Sequence, residues 1–396
     1  MNTQAPPSQR IEMIDALRGF AILAIFLVHI QEFGFFSFPP PESQPEWLNS
    51  LDDIVSRLVF SIFAGKSYSI FALLFGFTFY VQFHNQEVKG NDFGYRFLWR
   101  MLILFGFGMI NCLLYPGGDI LFVYAIVGVF LFVVRKWSNK AILITAIILL
   151  AQPMEWIHYA ISLFNPEYTL PDYRVGELYG ELHRVATTGD LKEYFYASMT
   201  TGIMANIAWT LSVGRLLQIA GLFMIGYLIG RKQLFVATEK NIRFWVYILV
   251  VSALLYNPLM ELKAIMYSRV EQTPIIGGTL GVVFDMWQKL AFTFVIVASF
   301  VLLYQKNFFV RLTNNLRYFG RMTLTNYLVQ SAIGTFLFQP IGFNLSKYSG
   351  ATLSFLIGLV LIYIQILFCK WWLSRHKQGP LESVWHKLTW INSGRQ

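Results

Sequence analysis

The sequence predicts an all-α protein: a polytopic transmembrane helical bundle of about ten spans, with both termini in the cytoplasm. The 396-residue chain is 56% hydrophobic and only 13% charged, whereas soluble domains carry about 25% charged residues. Apolar runs near 20 residues, each long enough to cross a bilayer core, recur along the whole length. Lys and Arg also collect in alternate connections between these runs, which is typical of membrane proteins.

The apolar runs divide the chain into its predicted elements. The ten predicted spans are 15–36, 54–83, 95–115, 119–135, 138–163, 202–230, 242–262, 281–304, 322–341 and 350–373. The second run contains Gly65-Lys66, which predicts a broken or strongly tilted helix. Pro116-Gly117-Gly118 joins the third and fourth runs and predicts a tight turn.

No segment between the runs is long enough to form a soluble domain. We therefore expect a single integral membrane domain, 1–396, with an N-terminal helical half over 1–150 and a C-terminal half over 200–396. The largest connection, 165–200, is predicted to be an extracytoplasmic loop segment.

The distribution of positive charge predicts the orientation. With a cytoplasmic N-terminus, 21 of the 31 Lys and Arg residues fall on the cytoplasmic side, 6 on the other side and 4 inside spans. A shift by one span would destroy this alternation, so the count favours ten spans with both ends on the cytoplasmic side.

Composition and motifs also exclude several function classes. The +9 net charge does not indicate nucleic acid, because cytoplasmic connections of membrane proteins are basic. The absence of a phosphate-binding P-loop argues against an ATP-driven pump. Cys112 and Cys369 lie in apolar runs without metal-ligand spacing, so we expect buried thiols and no metal. The partners expected are membrane lipids, and the sequence leaves a homo-oligomer open.

Ionisable side chains inside the apolar runs are candidates for function, because burying one mid-bilayer costs roughly 2.5–3.5 kcal/mol. These candidates are His29, Glu32, Arg57, Lys66, Asp119, Glu155, His158, Arg215, Asp285 and Lys289. Asp285 and Lys289 are four residues apart, so the simplest interpretation is mutual neutralisation. Lys66, Asp119 and Arg215 are interpreted either as structural counter-ions or as site residues.

Arg18 and His29 form the first candidate constellation. They are eleven residues apart, which places them on nearly the same helix face, roughly 16 Å apart along the axis. A guanidinium suits phosphate binding, and an imidazole suits general-base chemistry near neutral pH. A long ligand with a phosphate head and a reactive tail would fit this spacing. The alternative is an anchoring arginine plus a histidine satisfied by a neighbouring helix.

The segment GRMTLTNYLVQS, from Gly320 to Ser331, carries the second constellation. Four of its polar side chains recur at helical spacing and therefore share one face of the predicted helix. They are Thr323, Asn326, Tyr327 and Gln330. Such groups either hydrogen-bond across helices or line a polar cavity. Arg321, at the cytoplasmic mouth, is a second phosphate candidate or a simple positive-inside anchor.

Six segments in order resemble the YeiB-like bacterial membrane proteins that carry the domain of unknown function 418. These segments are IDALRGFAILAIFLVHI, FAGKSYSIFALLFGFTFY, LLYPGGDILFVYAIVG, GRLLQIAGLFMIGYLIGR, GRMTLTNYLVQS and GPLESVWHKLTW. The resemblance covers most of the chain and implies that 200–396 is the part like that domain.

That family is similar to a wider group of transmembrane acyltransferases, including the acyltransferase-3 proteins and the lysosomal heparan N-acetyltransferase. The resemblance implies transfer of an acyl group, with acetyl-CoA or another acyl-CoA as the donor, to a small, lipid or glycan acceptor. The acyltransferase-3 group has an Arg followed by ten residues and a His, which Arg18 and His29 match. Many YeiB-like chains carry Asn at the position of His29, so its role rests on the acyltransferase-3 resemblance.

The roles expected under acyl transfer are specific. Arg18, Arg321 and Arg215 would hold the CoA phosphates, with Lys66 as a further cofactor-binding candidate. His29 would deprotonate the acceptor or accept the acyl group. The oxyanion would be stabilised by Asn326, Tyr327 or Gln330. The imidazole would be oriented by Asp119 or Asp285.

Two alternatives come from other functional classes. A transporter of a small polar solute or lipid would also have broken spans and midplane charges, although the sequence shows no inverted repeat. A non-catalytic scaffold or receptor would use its polar side chains for packing alone.

Overall fold

The computed structural model describes residues 7–33 and 38–391, with the backbone alone for residues 7–11. Within this part of the chain the secondary structure is helical and no β-strand occurs, which confirms the all-α prediction. The first nine α-helices are α1 Pro7–Glu32, α2 Glu46–Phe63, α3 Ser67–Glu87, α4 Gly94–Leu114, α5 Leu121–Val134, α6 Asn139–Leu150, α7 Pro153–Phe164, α8 Val175–Thr188 and α9 Leu191–Met199. The others are α10 Thr201–Ser212, α11 Arg215–Arg231, α12 Glu239–Tyr267, α13 Pro274–Leu303, α14 Asn307–Leu312, α15 Asn314–Arg321, α16 Thr323–Phe338, α17 Ala351–Leu373 and α18 Pro380–Thr389.

Six helical segments of the described residues are long and apolar enough to cross a bilayer. They are Glu12–Glu32, Glu46–Glu87, Gly94–Leu114, Glu239–Tyr267, Pro274–Leu303 and Ala351–Leu373. Two bent helix pairs raise the number to eight if each pair is one span: α6 with α7, bent by 54°, and Leu191–Ser212, which comprises α9 and α10, with α11, bent by 73°. The chain therefore has the helices of a membrane protein, in smaller number than the ten predicted spans.

The remaining predicted spans correspond to helices that are too short to cross by themselves. The predicted span 119–135 is the 14-residue α5, and 322–341 is the 16-residue α16; at 1.5 Å per residue these extend roughly 21 and 24 Å. The loop predicted over 165–200 contains α8 and α9. Residues 34–36 of the first predicted span lie outside the described residues.

Three helix pairs are broken at left-handed backbone positions. Gly65 has φ 80° between α2 and α3, as its sequence predicts, and Gly214 has φ 66° between α10 and α11. Gln152, between α6 and α7, has φ 61° although it is not a glycine. A Cβ on Gly214 would lie 2.6 Å from Oε1 of Gln152, so the second and third breaks pack against each other.

Glycines bring two helix pairs into backbone contact. A Cβ on Gly19 of α1 would lie 2.0 Å from the Leu316 carbonyl oxygen, and one on Gly320 of α15 would lie 1.8 Å from that of Asp15. Gly76 of α3 and Gly226 of α11 have the same reciprocal relationship, each meeting a carbonyl oxygen of the other helix at 1.9 Å. Small residues allow such close approach between helices in a membrane.

The outer helices expose apolar side chains. In α12 only 6% of the most apolar window is buried, and Val250 and Leu254 are among its exposed residues. By contrast 72% of the α1 window is buried. Helix α1 is therefore at the centre of the bundle, and α12 presents an apolar face typical of contact with lipid.

The last helix of the described residues, α18, packs onto the bundle and caps the first turn of α16. Oε1 of Glu382 accepts the backbone N–H groups of Leu324 at 2.7 Å and Thr325 at 3.1 Å. These groups have no intrahelical partner in the first turn of a helix. Burial raises the pKa of the Glu382 carboxyl, which lies outside the apolar segments, above its usual value. The Arg100 guanidinium stacks on Trp385, 3.7 Å from the ring centroid.

Candidate functional site

His29 lies one turn before the end of α1, beside a carboxylate of the same helix. Its Nε2 atom is 3.8 Å from Oε2 of Glu32, and its side chain is 17% exposed. Residues three apart on a helix are neighbours, so the pairing follows from the local sequence. The hydroxyl of Tyr115 donates to the same Oε2 at 2.9 Å. A partly accessible imidazole thus faces a carboxylate that a tyrosine holds in place.

Two tyrosines from other helices surround the imidazole. The Tyr115 ring, at the end of α4, is 4.9 Å from the His29 ring, and the Tyr327 ring, on α16, is 6.0 Å away. The Ile120 backbone N–H donates to the Tyr327 hydroxyl at 3.3 Å. This bond leaves the tyrosine proton available for a bound group.

The two aspartates expected to orient the imidazole do not do so. Asp119 accepts the N–H of Phe122 at 2.7 Å and the Asn111 amide at 2.9 Å, so it caps the first turn of α5. Asp285 is paired with Lys263 at 2.6 Å and with Lys289 at 2.5 Å. Both carboxylates are engaged elsewhere, and Glu32 is the carboxylate beside His29.

The polar stripe on α16 divides between two neighbours. The Asn326 amide donates to the Phe319 carbonyl at 3.0 Å and lies 3.4 Å from Sγ of Cys369. The Gln330 amide donates to Gln365 of α17 at 2.9 Å. These two residues hydrogen-bond toward α15 and α17, which corresponds to the packing interpretation. Only Tyr327 of the stripe has a ring contact with His29.

The predicted phosphate-binding residues lie in two separate groups. Arg18 donates to Asp15 at 3.2 Å and to the Thr78 hydroxyl, and Arg321 donates to the Lys377 carbonyl at 3.0 Å. Asp15 also interacts electrostatically with Arg321, so both arginines belong to one end of the bundle, which we call the basic end.

Lys66 and Arg215 belong to the other group. The Lys66 ammonium donates to the Ser61 carbonyl at 2.8 Å. The Arg215 guanidinium lies 4.6 Å from the centroid of the Tyr68 ring. Thr78, the partner of Arg18, is twelve residues after Lys66 along α3, roughly 18 Å. One phosphate therefore cannot contact both groups, and Arg215 and Arg18 cannot hold the same phosphate in this structure.

Sequence reasoning missed three residues of these groups. Glu32 was an ionisable candidate without a role, although its spacing from His29 was a usable signal. Tyr115 and Lys263 reach His29 and Asp285 from other helices. No local pattern identifies those tertiary contacts.

The chain is similar over nearly its full length to three bacterial proteins. Residues 229–392 match the family model described as a protein of unknown function (DUF418). An uncharacterized 39.9 kDa protein of Bacillus acidopullulyticus is 30% identical over 96% of this chain and 94% of its own length. The uncharacterized YxaH of Bacillus subtilis is 25% identical over 97% and 95%, and YeiB of Escherichia coli is 27% identical over 96% of each chain.

No solved structure matches the chain. The relative with 30% identity extends along almost the whole sequence, and one of the others is YeiB, as the sequence motifs predict. The chain belongs to the YeiB-like DUF418 family.

Proposed function

We propose that the protein is an acyltransferase of the bacterial inner membrane, which moves an acyl group, in the simplest case acetyl, from acyl-CoA to an acceptor. The acceptor is a small molecule, a lipid or a glycan. The observation that carries this proposal is the partly accessible His29 imidazole beside the Glu32 carboxylate, 3.8 Å away. An imidazole with a neighbouring carboxylate is suited to general-base chemistry.

The orientation follows from the 21-to-6 division of Lys and Arg residues. Both termini and the basic end are then cytoplasmic, and His29 lies toward the opposite side. Ten spans require α5 and α16 to cross together with the turns and short helices that flank them. In this arrangement acyl-CoA is bound from the cytoplasm, and the acceptor arrives from the bilayer or the far side.

The residues would then act in sequence. Arg18 and Arg321 bind the donor phosphates, and the acyl thioester extends roughly 16 Å along α1 to His29. His29 takes the proton of the acceptor hydroxyl or amine as that atom attacks the thioester carbonyl. The carbon–sulfur bond then breaks with its electron pair on sulfur, and the CoA thiolate takes the proton from the His29 imidazolium and leaves as the thiol. The Tyr327 hydroxyl is positioned to stabilise the oxyanion.

Labelled acetyl-CoA tests the proposal. Purified protein in vesicles would be incubated with acetyl-CoA labelled in the acetyl group and with a bacterial lipid and glycan extract. We expect label in the extract with wild type and with His158→Ala, and strongly reduced label with His29→Ala. No label with wild type above protein-free vesicles would refute acyl transfer, and equal label with His29→Ala would remove His29 from the chemistry.

Transport of a small polar solute or lipid is the second candidate function. The observation in its favour is that broken helices bring charged side chains to their ends, as in many transporters; here Lys66 and Arg215 flank two of the breaks. Uptake of solute into proteoliposomes without CoA would favour this function over acyl transfer.

A further inference from the structure

The broken helices surround a group of basic side chains that the proposed acyl transfer does not use. We propose that Lys66, Arg215, Lys263 and Lys289 form a binding site for a phosphate group. This site does not depend on acyl transfer, because none of these four side chains takes part in the proposed reaction.

In the part of the chain that the structure describes, the four cations share one acidic partner within ion-pair distance. Asp285 pairs with Lys263 at 2.6 Å and with Lys289 at 2.5 Å, one carboxylate oxygen for each. Among the described residues, neither Lys66 nor Arg215 has a carboxylate within ion-pair distance. Lys66 bonds a neutral carbonyl, and Nε of Arg215 is buried without a hydrogen-bond partner. The group therefore has three more positive than negative charges.

The four side chains occupy one region of the bundle. Lys263 and Lys289 both pair with Asp285, and the Arg215 guanidinium lies 4.6 Å from the ring centroid of Tyr68, two residues after Lys66. The stem of Lys289 packs on Gly65, where a Cβ would lie 2.5 Å from its Cδ atom. The glycine at the first helix break thus creates the space through which Lys289 approaches Lys66.

The side chains of the three lysines differ in how far they are exposed. Lys66 is 4% exposed, and the side chains of Lys289 and Lys263 are 22% and 34% exposed. Excess charge of one sign is unfavourable in a low-dielectric interior unless a counter-charge is bound. A bound anion would supply the missing counter-charge.

Helix ends add to the positive potential. Helix α3 begins at Ser67, directly after Lys66, and α11 begins at Arg215. The N-terminus of a helix carries a partial positive charge and free N–H groups, which favour anions. Guanidinium and ammonium groups together suit phosphate oxygens. The phosphate can come from a soluble ligand or from a lipid head group.

Thermal unfolding of the purified full-length protein distinguishes these sources. In the first arm, the protein in neutral detergent is compared in sodium phosphate and in sodium chloride of equal ionic strength. In the second arm, in a buffer without inorganic phosphate, nanodiscs of zwitterionic phosphatidylcholine are compared with nanodiscs that also contain anionic phosphatidylglycerol. We expect the wild-type Tm to rise by about 2 °C or more in at least one arm.

Variants identify the residues responsible. Lys66→Gln and Arg215→Gln should lose at least half of the rise, whereas Lys136→Gln, which removes an exposed lysine, should keep it. Arg215→Lys, which retains the charge, should keep more of the rise than Arg215→Gln. If Lys66→Gln does not fold, Lys263→Gln replaces it, because that side chain is the most exposed of the three lysines. No rise for wild type in either arm, or a full rise in the variants that fold, would overturn the proposal.

Discussion

The carboxylate of Glu382 accepts the hydroxyl hydrogen of Thr325 at 2.6 Å, although 57 residues separate the two in the chain. The same carboxylate caps the first turn of α16 through two backbone N–H groups. A residue near the end of the sequence therefore stabilises the helix that carries Tyr327.

Removing this cap should destabilise the protein without touching the ring of His29. We expect Glu382→Ala to lower the free energy of unfolding by about 1–2 kcal/mol, the usual cost of a lost N-terminal cap. Glu239→Ala is the matched control, because Glu239 is 80% exposed in the first turn of α12, and it should cost less than about 0.5 kcal/mol. Unfolding in detergent, followed by circular dichroism, measures both. Equal stability of the two variants would contradict the capping role.

The buried Glu382 should also make stability depend on pH. Burial raises its pKa in the folded protein above the ordinary value of 4.5, so the folded state binds this proton more tightly than the unfolded state. Its contribution to stability is therefore complete below pH 4.5 and is lost as the pH rises through the folded pKa. Compared with Glu382→Gln, wild type should lose stability over that window. A difference that increases in favour of wild type with rising pH would reverse the sign and disprove this linkage.

The close contact of α1 and α15 predicts that Gly320 cannot be enlarged without cost. A Cβ there would lie 1.8 Å from the Asp15 carbonyl oxygen, so Gly320→Ala should destabilise by about 1–3 kcal/mol, the range for overpacking. Gly106→Ala on α4 is the control, because nothing lies within 4 Å of its Cβ position. It should be neutral or stabilise by up to about 1 kcal/mol through helix propensity. Thermal unfolding of the two purified variants compares them directly, and a neutral Gly320→Ala would show that the helices can separate freely.

Under the proposed acyl transfer, Glu32 is a positioning residue for His29. His29→Gln should reduce kcat/KM by about 10²–10⁴-fold, as for a lost general base. Glu32→Gln should reduce it less and should shift the pH profile of kcat/KM, because the charge facing the imidazole is gone. Glu155→Gln, in α7, controls for loss of an intramembrane carboxylate. An unchanged pH profile for Glu32→Gln would assign Glu32 to packing.

Asp119 should behave as a helix cap. Asp119→Asn keeps an oxygen for the Phe122 N–H and should retain most stability, whereas Asp119→Ala should lose about 1–2 kcal/mol. Transfer of labelled acetyl groups by Asp119→Asn should equal that of wild type per folded protein. A large loss of transfer by this variant would return Asp119 to the chemistry.

Local sequence signals predicted those features that depend on neighbours in the chain. Gly65 and the Pro116–Gly118 segment predicted a helix break and a turn, because the glycines have left-handed backbone angles there: Gly65 has φ 80° and Gly117 has φ 79°. The contact between Glu32 and His29 is also of this kind, because the two residues are three apart in one helix. Such features need no knowledge of the rest of the fold.

The features that the sequence did not predict depend on tertiary contacts. Hydropathy counted α16 as a full span, but its first turn is completed by Glu382, which no window around residue 325 contains. The polar stripe was visible in the sequence, whereas the contact of Gln330 with Gln365 depends on where α17 packs. Asp285 was paired correctly with Lys289, but Lys263 reaches it from α12.

The contact between Gly19 and Gly320 also constrains how the protein is made. About 300 residues separate these glycines, and a ribosome adds about 5–20 residues per second. The leading helix therefore waits roughly 15–60 s in the bilayer before its partner is synthesised. During that interval the face of α1 that later contacts α15 has to be covered by lipid, by other early helices or by insertion factors.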